Sequence, residues 1–227
     1  MMKKLTIILA LTGLFTLFLS GCENSSSQTS VGVNDNTTQQ TNSISNSTET
    51  SNSQSNANTS NNTISGTTQV YVSPSLYKIP YSSKYHLYSK SEIDNVFSQS
   101  KYHPDFYLID DSSKTNVNIV TSMDALLYKD IQSMEDFENM MNATSQIKIK
   151  VSSMGWTTDN GVDVLEVVYS IPSYNTQNKV CIYINGMTSY SVTYTEYPNT
   201  PDSVKRDMLS MLHSLIIIDE EEYINNQ

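Results

Sequence analysis

Between Glu23 and Gln69 lie 47 residues, of which 37 are Ser, Thr, Asn or Gln, with no aromatic residue, proline, lysine or arginine among them. Such a stretch lacks the apolar surface whose burial offsets the entropy of ordering a chain, so it is expected to form a disordered tether. A core must then come from residues 70–227. There 66 of 158 residues belong to the set Ala, Val, Ile, Leu, Met, Phe, Trp, Tyr and Cys, and all 15 tyrosines and the single tryptophan fall in this part. That supply suits one domain and is too small for two.

Residues 1–21 read as a targeting segment. Lys3 and Lys4 precede an apolar run from Leu5 to Leu19, which is shorter than the roughly 20 residues of a membrane span. Leu19-Ser20-Gly21-Cys22 then closes it. This tetrad resembles the bacterial lipobox, and the resemblance implies cleavage by signal peptidase II between Gly21 and Cys22 with lipid attached to the Cys22 sulfur. The membrane partner would be lipid, reached through acylated Cys22, because two or three acyl chains make a lasting anchor. Residues 22–69 would then hold the domain off the bilayer, with an r.m.s. span of roughly 35–40 Å. The use of 12 lysines against one arginine, with many Asn, Ile and Tyr, resembles low-GC Gram-positive usage, which would place the protein on the outer face of the cytoplasmic membrane.

Residues 70–227 carry 20 acidic and 11 basic side chains, a net charge of 11 − 20 = −9. Nucleic acid is excluded as a partner, since phosphate binding needs clustered Lys and Arg. With Cys22 lipidated, Cys181 has no partner for an intramolecular disulfide, and within Val180-Cys181-Ile182-Tyr183-Ile184 it reads as a small buried hydrophobe.

Alternation of apolar and polar residues predicts strands over Leu76–Tyr81, Phe106–Ile109, Val117–Val120, Ile147–Trp156, Val162–Ile171, Val180–Ile184 and Met187–Glu196. The Asp110–Asn116 run joins a hairpin, and Asp159-Asn160-Gly161 and Asn185-Gly186 punctuate later strands. Asn185-Gly186 predicts a type I′ turn with positive φ at both residues. Its pairing would put Cys181, Tyr183 and Tyr190 on one face and Val180, Ile182, Ile184 and Met187 on the other, giving a sheet covered on both sides. Ser91–Phe97 predicts a turn or two of helix. Ser133 with Asp136 predicts a capped helix presenting Phe137, Met140, Met141 and Thr144, and a last helix opens with Thr200 as N-cap and Pro201 at N1. Its face would carry Val204, Met208, Met211, Leu212 and Leu215.

The order of these elements resembles the PsbP-like family over about residues 76–218. The likeness rests on Asn116-Val117-Asn118-Ile119-Val120 leading to Ser133-Met134-Glu135-Asp136-Phe137, on the Val180–Gly186 hairpin with Ser191–Thr195, and on the closing Leu215-Ile216-Ile217-Ile218. It implies an α+β fold, an antiparallel β-sheet with helices packed on its faces, and an adaptor or binding role without catalysis. The stretch from Tyr81 to His103 matches no part of that pattern.

No catalytic motif is present, and seven glycines leave little room for a phosphate-cradling loop. His86, His103 and His213 have no second ligand at metal-binding spacing, so the sequence assigns no catalytic, cofactor or metal residues. His213 reads as a surface or boundary residue. Asp110-Asp111 and Asp219-Glu220-Glu221-Glu222 read as solvated surface, with Ca2+ binding as the alternative. Tyr71, Tyr77, Tyr81, Tyr85, Tyr88, Tyr102 and Tyr107 read either as the aromatics of a half-buried sheet or as a surface for glycan or protein, and Trp156 carries the same two readings. The expected function is a non-catalytic binding or assembly module whose partner is an envelope protein. The alternative is a cell-wall enzyme using Asp163 and Glu166 as acid and base.

Overall fold

The computed structural model describes residues 67–98, 100, 103–144 and 147–226, the Thr144 side chain excepted. The lipobox with Gly21 and Cys22, the tether up to residue 66, and Tyr102 lie outside them. Among the described residues ten strands form two antiparallel sheets. β1 (Thr68–Ser73), β2 (Tyr77–Ser82) and β10 (Ile216–Ile217) make a small sheet in the order β1-β2-β10. β3 (His86–Leu87), β4 (Phe106–Ile109), β5 (Asn116–Ser122), β6 (Lys150–Asp159), β7 (Val162–Ile171), β8 (Thr176–Asn185) and β9 (Thr188–Glu196) make a seven-stranded sheet in the order β3-β4-β5-β9-β8-β7-β6. The helices are α1 (Lys90–Val96), α2 (Ala125–Lys129), α3 (Met134–Thr144), α4 (Asp202–Leu209) and α5 (Glu220–Asn225). The expected α+β class with an antiparallel sheet and helices on its faces is what forms. Among the described residues no helix is long and apolar enough to cross a membrane.

Because side chains alternate along a strand, the large sheet feeds two separate cores. On one face Phe106, Leu108, Val117, Ile119, Val164, Cys181, Tyr183, Tyr190 and Val192 pack with Tyr77 and Ile79 of β2 and with Val204 and Met208 of α4. On the other, Leu165, Val167, Tyr169, Val180, Ile182 and Ile184 pack under Ala125 and Tyr128 of α2 and Phe137 and Met141 of α3. The faces match the expected division, since Tyr183 stands opposite Tyr190. The second face is not wholly apolar, however. Asn118, Asn178, Ser191, Thr193 and Thr195 form a buried polar strip along its middle, with Thr195 Oγ1 donating to Asn178 Oδ1 at 2.9 Å.

Several sequence expectations need correction. Thr68 and Gln69, assigned to the tether by composition, pair with Ser82 and Tyr81, so the sheet starts at Thr68. Leu76 does not open a strand. It sits at φ 64° in the β1–β2 turn, where its N–H donates to the Ser73 carbonyl at 3.0 Å. The β8–β9 hairpin forms, but Asn185 pairs with Thr188, leaving Gly186 and Met187 as the loop. Positive φ at Gly186 alone is the type II′ pattern, and Met187 is exposed in the turn rather than on the sheet face. The type I′ signature belongs instead to Asn160-Gly161, at φ 50° and 79°, between paired Asp159 and Val162.

The Ser133 cap is as expected: its Oγ accepts from the Asp136 N–H at 3.1 Å. A capping box unforeseen in the sequence starts α1, with Ser89 and Glu92 bonded reciprocally. For α4 the N-cap is Pro201, one residue later than expected. Thr200 instead buries its hydroxyl against Thr115 and donates to the Tyr197 carbonyl at 2.8 Å. The helix also stops at Leu209. Met211, Leu212 and Leu215 are buried as the periodicity requires, but in tighter i→i+3 turns, with the Ser210 hydroxyl on the Asp207 carbonyl and that of Ser214 on the Met211 carbonyl.

Candidate functional site

The tyrosine cluster near the start of the domain is mostly structure. Tyr77 and Tyr85 are buried, and Tyr71 and Tyr81 flank Phe106 with ring centroids 5.3 and 6.0 Å away. Tyr107 stacks between Tyr88 and Phe97 at 5.0 and 5.3 Å. Between the β1–β2 turn and α1 these rings leave a cleft of about 550 Å3, lined by Tyr71, Leu87, Tyr88, Ile93, Asp94 and Asp105. Its polar groups engage one another. Tyr71 donates to the Asp105 carbonyl at 2.8 Å, Thr121 Oγ1 donates to the Asp105 carboxylate, and Asp94 lies 3.2 Å from His103 Nδ1.

The acidic segments are likewise occupied by local bonds. Asp110 Oδ2 accepts from Ser112 Oγ, Ser113 Oγ and the Ser113 N–H at 2.6, 2.6 and 2.9 Å. Burial raises the pKa of Asp110, but these donors more than offset it and hold the group below its usual value. Asp111 turns toward His86, at 3.4 Å. Asp219 caps α5 by accepting from the Glu222 N–H at 2.7 Å, and Glu222 pairs with Lys78.

Asp163 and Glu166 cannot share a substrate as acid and base across one bond. Three residues apart on β7, they project from opposite faces of the sheet. Asp163 borders a groove of about 310 Å3 with Lys129, Gln132, Trp156 and Ile184. Trp156 is 43% exposed, and its indole N–H donates to the Ile131 carbonyl at 3.4 Å. It stands on β6, one of the two edge strands of the large sheet, where Ser152, Ser153, Gly155, Thr157 and Thr158 are also exposed.

Glu166 belongs to a cluster that sequence spacing could not reveal. It lies directly across from Cys181 on β8, on the α4 side of the sheet. The turn after α4 brings His213 onto the same spot, with Nε2 3.9 Å from Cys181 Sγ and 3.8 Å from Glu166 Oε1. One donor atom from each of the three lies within 4.8 Å of the others. Lys179 Nζ holds the second carboxylate oxygen, Oε2, at 3.0 Å. Tyr183 fixes the turn by donating to the carbonyl of Leu212 at 2.8 Å. Burial, then the charge of Glu166, push the Cys181 thiol up to about 12, so it is no free nucleophile at neutral pH. Thus the buried-hydrophobe reading of Cys181 describes its exposure but omits its neighbours. The one sequence signal was Glu166 itself, a charge on a strand face otherwise carrying Val162, Val164 and Val168.

No known protein family matches the chain, and no curated protein does. Among solved structures it is similar to the solution structure of cyanobacterial PsbP, CyanoP, from Synechocystis, at 12% identity over 66% of this chain and 92% of that one, with a TM-score of 0.46. A crystal structure from Bacteroides thetaiotaomicron is similar at 13% identity over 67% of this chain and 49% of that one, TM-score 0.41. A Pseudomonas aeruginosa protein of unknown function, a putative regulator, matches at 12% identity over 59% and 85%, TM-score 0.30.

Proposed function

We propose that this protein is a lipid-anchored, non-catalytic binding module of the cell envelope, held at the outer face of the cytoplasmic membrane through Cys22 and engaging an envelope protein with its β6 edge. The anchor is supported by Leu19-Ser20-Gly21-Cys22 and by the polar segment that follows. The observation that carries the binding role is β6 itself, a ten-residue edge strand with a half-exposed tryptophan in its second half. Among the described residues no strand pairs with the outer side of β6, and beyond Val151, whose N–H goes to Glu138 Oε2 at 3.1 Å, that side is open to an added strand, with an aromatic anchor beside it to supply contact energy. A tether adds to this by raising the local concentration of the domain near membrane-bound partners, so that weak contacts become occupied.

Crosslinking in whole cells tests the reading. An envelope protein should be captured, and capture should fall sharply for Trp156→Ala and for the unlipidated Cys22→Ala form at equal abundance. Equal capture by all three forms would refute the anchored-module reading, and turnover of peptidoglycan fragments by the purified protein would replace it with an enzymatic one.

A further inference from the structure

Glu166, Cys181 and His213 bring a carboxylate, a thiol and an imidazole to one point from three separate elements. In a tetrahedral Zn2+ centre, with metal–ligand distances of about 2.0–2.3 Å, neighbouring donor atoms stand about 3.3–3.6 Å apart. The observed 3.9 and 3.8 Å from His213 exceed this by only a few tenths of an ångström, and the third separation, Cys181 to Glu166, lies within 4.8 Å. His213 is 41% exposed in its side chain and sits on a turn, so it can close its two gaps by rotation, and the part-exposed Glu166 side chain can swing toward Cys181 from a backbone that the sheet holds in register. We propose that these three side chains form a binding site for a borderline divalent transition-metal ion, Zn2+ being the best match.

The donor set gives the selectivity. A sulfur ligand disfavours Mg2+ and Ca2+, which take oxygen, whereas the mixed S, N, O set suits Zn2+. Charge is compatible as well. Thiolate and carboxylate together balance a dication, with Lys179 and Asp159 adding one charge of each sign nearby. On binding, the Cys181 sulfur exchanges its proton for the metal, and that proton leaves to solvent.

Access is built in. Beside Glu166 and Lys179, β6 presents Ser153, Gly155 and Thr157 around a groove of about 360 Å3, and at Gly155 a Cβ would meet no atom within 4 Å. An ion can therefore approach from the Glu166 side, and the part-exposed His213 opens the site to solvent, while Cys181 lies buried beneath. The support for the ligands is equally specific: Tyr183 holds the Leu212 carbonyl next to His213, and Lys179 orients the carboxylate so that Oε1 faces the imidazole.

The test uses the full-length chain in detergent with Cys22→Ala, which leaves Cys181 as the only thiol. Titration with Co2+ should give a 1:1 complex with a near-ultraviolet thiolate-to-metal charge-transfer band, and Zn2+ should displace it. Cys181→Ser should abolish the band. His213→Ala and Glu166→Gln, both at partly exposed positions that should still fold, should weaken Zn2+ by more than the about 10- to 100-fold that loss of a supporting group costs. Absence of the band in the parent chain, or Zn2+ affinity unchanged in His213→Ala, would overturn the site. Neither result bears on partner capture at β6.

Discussion

Among the described residues Asp207 is the one fully buried carboxylate, with a side-chain exposure of 0%; Lys84, 37% exposed, is its near counter-charge at 2.6 Å, and Arg206 Nε lies farther off at 4.0 Å. Tyr85 also donates to it at 2.9 Å, while the Oδ1 atom has no hydrogen-bond partner. Replacing Lys84 with Met removes the nearer charge partner and leaves the buried anion with only the more distant Arg206. Breaking a fully buried pair costs about 3–5 kcal/mol. Solvent at the exposed Lys84 end screens part of the attraction, and the Tyr85 bond survives, which lowers the expected loss to about 2–3 kcal/mol. For a domain of this size each kcal/mol moves Tm by about 2–4 °C, so Lys84→Met should melt roughly 5–10 °C lower. Asp207→Asn should cost only about 1 kcal/mol, because the lysine it abandons can turn into water. Adding it to Lys84→Met should restore stability. The same pair raises the pKa of Lys84, chiefly through its bond to Asp207. On the alkaline side its contribution is therefore complete below about pH 10.5 and fades as pH rises through the folded-state value, so parent and Lys84→Met should converge in strong alkali. Urea unfolding followed by circular dichroism measures all of these. A Lys84→Met protein within 0.5 kcal/mol of the parent, or Asp207→Asn as the costlier change, would refute the reasoning.

Phe106→Ala empties a site wedged between Tyr71 and Tyr81 and should destabilise by about 3–5 kcal/mol in the same assay. Gly161→Ala forces a side chain into φ 79° and should cost about 1–2 kcal/mol, whereas Gly155→Ala, in open space on β6, should change stability by less than 0.5 kcal/mol. Asp110, held below its usual pKa, stabilises the fold above about pH 4 and loses that effect as pH falls through its folded value, so Asp110→Asn should flatten the acid limb of a stability profile. Limited proteolysis should leave a resistant fragment beginning between about residues 60 and 68, and a stable fragment retaining residues 30–60 would contradict the tether. Labelled fatty acid should fail to enter Cys22→Ala, and its incorporation would end the lipobox reading.

The meander from β6 to β9 was legible because period-two alternation and Asn/Gly turns are local signals, and the Ser133 cap because its partner lies three residues away. β1 was not, since Thr68 and Gln69 share the composition of the preceding segment and owe their strand state to Ser82 and Tyr81 across the turn. The choice of turn type also escaped local reading. Asn185-Gly186 has the favoured residues, yet the pairing that buries Tyr183 against Tyr190 moves the loop one residue on, to Gly186-Met187. The helical period continued past Leu209 on paper, whereas serine hydroxyls tighten the backbone there. His213 depends on that tightened turn for its approach to Cys181, which is why a candidate site spread over 48 residues of chain leaves almost no trace in spacing.

The strand order also sets a clock for the newborn chain. β5 pairs early with β4, but its second neighbour is β9: Asn116 pairs with Thr195 and Ser122 with Ser189, across 79 and 67 positions of sequence. Loop closure of that length is slow, and the large sheet has no complete centre until β9 is available. At roughly 5–20 residues per second, synthesis of the intervening segment alone takes on the order of 4–16 s. Were residues 1–21 to direct export as proposed, that interval would keep the polypeptide loose enough to thread a narrow channel and would defer its hardening to the far side.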